Sequence, residues 1–570
     1  MPEPDMTNGE VAPASWPTGS GPFVALVDAS SSLERDLIGS WIRDSTENVD
    51  EPIHVFDLPP SRRQRAFGSV DLAIGERLTL EDDPLCVPIR VVWLAEKRDG
   101  VRRVRLSDLL KPGDPRDPNF VLQRIILRLH PDRCRIVVGE PARRSELEKR
   151  WSAPSGRGPA DGTTLGEYVA LQAWMTLERA ERHVRGLRYK VPRFLREDLF
   201  WSRPFQSGIQ RLARQEGRTE KRMRQRTGRY LKEIAAQHSP YMIDLVNGIT
   251  TLAIEAAHHD VDYSEAELRS IYTFAEEEPI VFLPSHKSNF DHLVFQHVLY
   301  ENELPLNHTA GGINMNFFLI GPLLRRSGIF FIRREFRDNA PYKFVLRQYL
   351  DYLLEKRFAL EWYIEGGRSR SGKLREPKMG LLAYVADSYQ RGITNDVILV
   401  PVSINYDQIT DVGSYAAEQR GGQKEAESFA WALRFLGSLR RQNGRIYVRF
   451  GEPLVLSNHI DRDDDLTSPE GQLALPKIAF EVSTRINDVT PITAISMVTL
   501  ALLSAENHGL TIAETASRLI PFMSFVQERD LPPTDDLPFA SNNEIAAALD
   551  ALVLSGVVTR NDGLTDRVYS

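Results

Sequence analysis

The chain is short of several things that would classify it at once. It has only two cysteines, Cys86 and Cys134, in 570 residues; that is too few for a disulfide framework, and their spacing matches no metal-ligand pattern. A reducing, cytoplasmic setting is therefore expected. It lacks any run of about 18 apolar residues, the length a spanning helix needs. The nearest stretches, "VTPITAISMVTLALLSA" from Val489 and "GGINMNFFLIGPLL" from Gly311, are interrupted by Pro, Asn, Ser or Thr. The first 20 residues have neither a basic start nor an apolar core, so they read as a Pro/Gly/Ser tail, disordered, and not as a leader. There is also no large charge excess: 71 Lys and Arg stand against 78 Asp and Glu, a net of −7. With 42% hydrophobic and 26% charged residues the composition is globular, and the length suits two or three domains.

What is present begins with four β-branched runs, "PFVALVD", "PIHVFDL", "LCVPIRVVWLA" and "CRIVVGEP", separated by polar segments. They predict a small α/β unit over 21–150. The Gly/Pro/Ser content of 152–164 predicts a linker. Residues 165–275 carry a helical period and a lopsided charge, with seventeen Lys/Arg against five Asp/Glu between Arg179 and Lys232. Phe194, Phe200, Trp201 and Phe205 lie among the first of those cations. A solvated helical face, a nucleic-acid patch and a contact with anionic lipid heads all fit that composition, but no nucleic-acid recognition motif accompanies it. Across 276–490 strand-like runs alternate with helices, predicting an α/β domain with a mostly parallel or mixed sheet flanked by helices, whose ligands sit where strands end. Residues 491–570 read as a helical segment, with "NNEIAAALDALVLSGVVTRNDG" as a helix followed by a short hairpin, in the manner of a winged helix.

Three polar clusters fall at predicted strand ends. In "LPSHKSNFDH" (283–292) an apolar strand stops at Pro284, and Ser288 or Asn289 is placed to cap a helix from Phe290. His286 then lies in the loop and Asp291 in the first turn. The two meet only if the loop folds back over the helix start, since a five-residue helical separation points them apart. So folded, the carboxylate fixes the imidazole tautomer and the other ring nitrogen is a base. A zinc site of His286, His292 and His308 lacks the helical His pair or Cys pair that would support it. In "YIEGGRSRSGKLREPKMG" (363–380) paired glycines precede Arg368, Arg370, Lys373, Arg375 and Lys378, a cationic loop at the end of a strand, suited to an anion. In "GIFFIRREFRDN" (328–339) Arg333 and Arg334 follow a strand, where successive residues face opposite sides.

Together these pieces resemble the ordered motifs of the glycerolipid acyltransferases, and most closely the bacterial membrane-associated glycerol-3-phosphate 1-O-acyltransferases. The four are "HKSNFD", "AGGINMNFFLIGPLLRRSGIFFIRREF", "EGGRSRSGKLREPKMG" and "ILVPVSINYDQI" with Pro401 at its centre. The resemblance covers roughly 278–453, under a third of the chain. It implies that His286, oriented by Asp291, deprotonates the sn-1 hydroxyl of glycerol 3-phosphate for attack on the thioester of acyl-CoA or acyl carrier protein, with no cofactor and no metal. It further implies that Arg333, Arg368 and Arg370 hold the phosphate with Lys287 nearby, that Glu365, Gly366, Gly367 and Ser369 shape the pocket, and that Pro401 and its strand line a channel. It favours peripheral or monotopic binding, through the stretch 193–205, to an anionic membrane at the cytoplasmic face, with no nucleic acid. Dihydroxyacetone phosphate or a lysophospholipid as acceptor, and a non-catalytic lipid-surface scaffold, remain as rival readings.

Overall fold

The computed structural model describes residues 14–58 (without 20 and 48), 78, 83–98, 101–102, 104, 108, 116–152, 164–186, 189, 195–258, 260–275, 277–316, 320–409, 444–466, 468–469, 471–506, 508–537, 539, 541–562 and 566–570. The expected linker at 152–164 lies almost wholly outside them. The chain divides into two compact units: Met1–Glu233 with Gln237–Leu245 and Arg337–Val345, and Ile234–Ala236 with Val246–Phe336 and Leu346–Ser570. Among the described residues no helix is long and apolar enough to cross a membrane.

The four N-terminal runs form one sheet: β1 (Phe23–Asp28), β2 (Ile53–Asp57), β3 (Leu85–Trp93) and β4 (Cys134–Val138), in the order β2-β1-β3-β4, with β5 (Ala142–Arg143) also paired to β3. Strands β1, β2 and β3 are parallel, while β4 and β5 run antiparallel to β3. All nine residues of β3 are buried, as expected of a strand covered on both faces. Helices Ser32–Ser45 and Phe120–Leu129 cover one face through Ile38, Ile42 and Ile126. Helix Leu165–Arg185 covers the other through Tyr168, Val169 and Trp174. That helix is pinned by charge as well. Arg90, buried inside β3, donates to Asp28 at 2.8 Å and, from Nη1, to Glu178 at 3.1 Å and Glu181 at 2.7 Å.

Two sequence expectations change here. The expected helical region 165–275 is not a body of its own: its first helix packs on the N-terminal sheet, and its last part belongs to the second unit. The tail is not wholly unstructured, because Trp16 lies edge-on to Phe23 at 5.5 Å and 6.0 Å from Trp41.

The second unit holds a larger sheet. Its strands are β6 (Val261–Asp262), β7 (Ile280–Pro284), β8 (His308–Gly312), β9 (Ile329–Ile332), β10 (Leu360–Glu361), β11 (Ile398–Tyr406), β12 (Ile446–Phe450) and β13 (Leu454–Val455). The order is β9-β8-β10-β7-β11-β12-β6, with β13 paired to β11. From β9 through β11 every pairing is parallel, and β12 turns antiparallel. Ile280, Val281, Phe282 and Leu283 of β7 are all at most 1% exposed, which explains a continuous apolar run instead of an alternating one. The carboxyl ends of β7, β9, β10 and β11 therefore open on one edge, where a parallel sheet places its ligands. Beyond it, helices Ala494–Leu503, Ile512–Glu528 and Asn542–Leu554 close on a three-stranded sheet of β14 (Leu510–Thr511), β15 (Arg560–Asp562) and β16 (Arg567–Tyr569), ordered β14-β16-β15. That succession of helices and terminal hairpin matches the expected winged-helix-like end.

Candidate active site

Strand β7 delivers His286 two residues past its end, and the loop folds back as required. His286 Nδ1 lies 2.9 Å from Asp291 Oδ2. The helix it folds over is Asp291–Glu301, preceded by Phe290, and neither Ser288 nor Asn289 is its cap residue. Asp291 does the tying instead: the same Oδ2 accepts the backbone N–H groups of Lys287 at 2.7 Å and Ser288 at 2.9 Å. Its Oδ1 accepts the Tyr406 hydroxyl at 2.7 Å. Four donors thus converge on one fully buried carboxylate and fix it in place. With Nδ1–H donating to Asp291, Nε2 of the imidazole is the basic nitrogen, on a side chain 18% exposed.

The cationic loop after β10 is fastened to the same histidine. Glu365 accepts the His286 N–H with Oε1 at 2.9 Å and the Arg375 N–H with Oε2 at 2.9 Å. The Ser369 N–H donates to the His286 carbonyl at 2.7 Å. Burial pushes the Glu365 carboxyl above its ordinary range, opposed by those two N–H bonds. Gly366 takes φ +64°, and a Cβ there would sit 2.8 Å from Lys378 Cγ, so both backbone and space call for glycine. Gly367 follows, half-buried.

The expected phosphate ligands are placed unequally. Arg368, half-buried, and Arg370, exposed, flank the docked Ser369, which carries them to the dyad. Arg333 is half-buried and Arg334 exposed, just past β9. That strand stands three places from β7 in the sheet, roughly 14 Å away at about 4.8 Å per strand, so Arg333 has the longest reach. Lys287 is 7% exposed, with Nζ 3.0 Å from Asn405 Oδ1. Burial pulls its ammonium below the ordinary lysine range, opposed by Asp291 and Glu365. The buried Ser369 hydroxyl donates to the Lys373 carbonyl, closing the loop on itself. Pro401 is buried mid-strand opposite Leu283, its carbonyl accepting the Gly451 N–H at 2.9 Å. Strand β11 meets the dyad at its end, through Tyr406, and not at Pro401.

Three residues near the dyad went unread in the sequence: Tyr406, Asn405 and Tyr363. The Tyr363 ring lies 3.9 Å from the His286 ring at 19°. The only signal was position, a polar tip at the carboxyl end of a parallel strand. The three histidines weighed for zinc go separate ways. His292 Nδ1 faces Glu361 at 3.4 Å and His308 Nδ1 faces the Tyr349 hydroxyl at 3.2 Å. Among the described residues no His/Cys/Asp/Glu group is placed to hold a metal.

Among the described aromatics expected at a membrane, Phe200 and Trp201 are half-buried and Phe205 lies inside. Phe205 is fully buried, 5.5 Å from Phe200 and 5.2 Å from Phe344, and Phe200 in turn lies edge-on to Trp201 at 5.2 Å. Arg193 and Phe194 lie outside the described residues.

Residues 265–405 match the family described as Acyltransferase, and residues 415–570 match the family described as Glycerol-3-phosphate acyltransferase C-terminal region. A glycerol-3-phosphate acyltransferase of Aeromonas hydrophila is 32% identical over 73% of this chain and 53% of its own length. One of Shewanella halifaxensis is 30% identical over 70% and 51%, and one of Shewanella loihica 34% identical over 54% and 39%. The chain thus spans about half the length of the curated relatives it matches. A solved structure, the 1-acyl-sn-glycerophosphate acyltransferase of Thermotoga maritima, is 16% identical with a TM-score of 0.27, covering 43% of this chain and 78% of that one.

Proposed function

We propose, on the premise that this chain carries an acyltransferase domain joined to a glycerol-3-phosphate acyltransferase C-terminal region, that it acylates glycerol 3-phosphate. The observation that carries the reading is the His286–Asp291 contact bound, through Glu365 and Ser369, to a loop rich in arginine. His286 Nε2 takes the proton of the sn-1 hydroxyl while its oxygen attacks the thioester carbonyl of acyl-CoA or acyl carrier protein. The tetrahedral intermediate collapses with loss of the C–S bond, and the imidazolium returns the proton to the departing thiolate. The products are a lysophosphatidic acid and a free thiol. Arg368, Arg370, Lys287 and Arg333 hold the phosphate; the desolvated Lys287 ammonium gains most from a dianion, which offsets the cost of its burial.

The test is His286→Ala. A general base contributes about 10²- to 10⁴-fold, so turnover with glycerol 3-phosphate and a long-chain acyl-CoA is expected to fall by that factor with fold and liposome binding retained. Unchanged turnover sinks the reading.

The same reading has the enzyme work at the cytoplasmic surface of an anionic membrane, and the support comes from a helix other than the one its sequence suggested. On Phe120–Leu129, Val121, Ile125 and Leu129 recur every fourth residue at 64%, 45% and 63% exposure. Exposed Arg124 and Arg128 form the neighbouring stripe, and the helix contains no acidic residue. An apolar face edged by cations suits an interfacial helix. Ile125→Asp should abolish flotation with phosphatidylglycerol liposomes at low salt; flotation equal to wild type would refute the assignment.

A further inference from the structure

The stacking of Tyr363 on His286 has no part in the scheme above, and its geometry is unusual for two uncharged rings. Their centroids are 3.9 Å apart and their planes 19° from parallel. Neutral aromatic rings prefer offset or edge-to-face arrangements, because a sandwich sets one negative π face against another. The same sandwich becomes attractive once one ring is a cation. An imidazole that takes up a proton during turnover is such a ring.

The tyrosine is held where it is by its surroundings. It follows β10 by two residues, its hydroxyl is buried without a hydrogen-bond partner among the described residues, and the last residue of that strand is Glu361. Glu361 is itself fully buried. Its Oε2 accepts Thr309 Oγ1 at 3.0 Å, Gln296 Nε2 at 3.2 Å and Asn307 Nδ2 at 3.2 Å, and its Oε1 faces His292. Donors from the helix after β7 and from the start of β8 thus fix the end of the strand that Tyr363 follows, and the Tyr363 ring covers the base.

We propose that Tyr363 is a positioning residue for His286: its ring face holds the imidazole in plane and stabilises the imidazolium. The inference rests on the acyl-transfer reading for its consequence in turnover, but not for its effect on the histidine itself. The other charged or titratable groups around His286 are Asp291 with Tyr406 behind it, Glu365, Lys287, and Arg368 and Arg370 on either side of Ser369, and all of them remain in the variants below.

The experiment follows the His286 ring by NMR in the full chain labelled at histidine Cε1, assigned by loss of its signal in His286→Gln, together with steady-state kinetics. Tyr363→Leu removes the π face. Its His286 titration midpoint should fall and kcat should drop roughly two- to thirty-fold, the range a cation–π contact spans, with KM for glycerol 3-phosphate unchanged. Tyr363→Phe keeps the face and should hold both values within about twofold of wild type. Should Tyr363→Leu misfold by its thermal transition, fluorinated phenylalanines of the same shape at position 363 replace it, and the midpoint should fall stepwise as fluorine empties the ring face. A midpoint unmoved by Tyr363→Leu or by fluorination overturns the proposal, as does Tyr363→Phe behaving like Tyr363→Leu. Failure of the acyl-transfer reading would show separately, as undiminished activity in His286→Ala.

Discussion

Asp291→Asn separates two ways in which a carboxylate can serve His286 in its proposed role as general base. Three donors, His286 Nδ1, Lys287 N and Ser288 N, share Oδ2, and one, the Tyr406 hydroxyl, meets Oδ1. An asparagine can place its amide oxygen at the crowded position and keep all three donors. Its NH2 group then faces Tyr406, whose hydroxyl can rotate to accept. The flipped amide would set its NH2 against two backbone N–H groups, each a buried donor whose lost partner costs about 1–3 kcal/mol. The upright amide therefore wins, and His286 keeps Nδ1–H and a free basic Nε2. What is lost is only charge: a hydrogen bond to an ion is worth about 1.5–3 kcal/mol against about 0.5–1.5 for a neutral one. With the remaining attraction to the imidazolium, the deficit is about 1–3 kcal/mol, or roughly 5- to 150-fold in kcat. That is well short of the roughly 10⁴-fold drop seen where an amide forces the wrong tautomer. The assay is thiol release from an acyl thioester in the presence of glycerol 3-phosphate. A loss as deep as that of His286→Ala would mean the backbone donors do not hold the amide, and no loss at all would remove Asp291 from the mechanism.

Tyr406→Phe leaves the three Oδ2 bonds in place and removes the fourth, so kcat should fall by roughly tenfold or less, in keeping with one bond of about 1.5 kcal/mol to a charged group; an unchanged kcat would make Tyr406 only a packing residue. The Lys287 ammonium is held below its ordinary 10.5 by burial. Between the folded value and 10.5 the unfolded chain binds more protons, so stability rises with pH across that window. Lys287→Met should abolish that rise: in chemical denaturation from about pH 8 to about pH 10 the wild type should gain on the variant as pH increases, and a constant difference would contradict the assigned burial effect.

The strands were legible because each is a continuous apolar run bounded by turn residues, and burial on both faces is what such runs encode; β1, β3, β7 and β11 follow the sequence closely. Strand β8, "HTAGG", was not legible: two glycines and a histidine carry no strand signal, and it is set by pairing with β9 and β10. The spacing of His286 and Asp291 was readable, yet the cap was misassigned. A side chain that reaches backward to three donors looks, in sequence, like an ordinary first-turn acid. Tyr363 and Tyr406 were missed because an aromatic at the end of an apolar run reads as core until the neighbouring strand is known. The basic stretch around Trp201 was ambiguous in sequence for a related reason. Composition counts cations and aromatics but does not say which way they face, and here Phe205 faces inward while Phe200 and Trp201 are half-buried.

The groups that meet at Asp291 come from segments up to 115 residues apart along the chain. No short excised peptide could bring them together, since three come from the loop after β7 and the fourth from the end of β11. The smallest piece able to display the reacting constellation must run at least from Ile280 through Tyr406 and must already be folded, so catalytic competence should emerge all at once during refolding, with the closing of β11 onto β7.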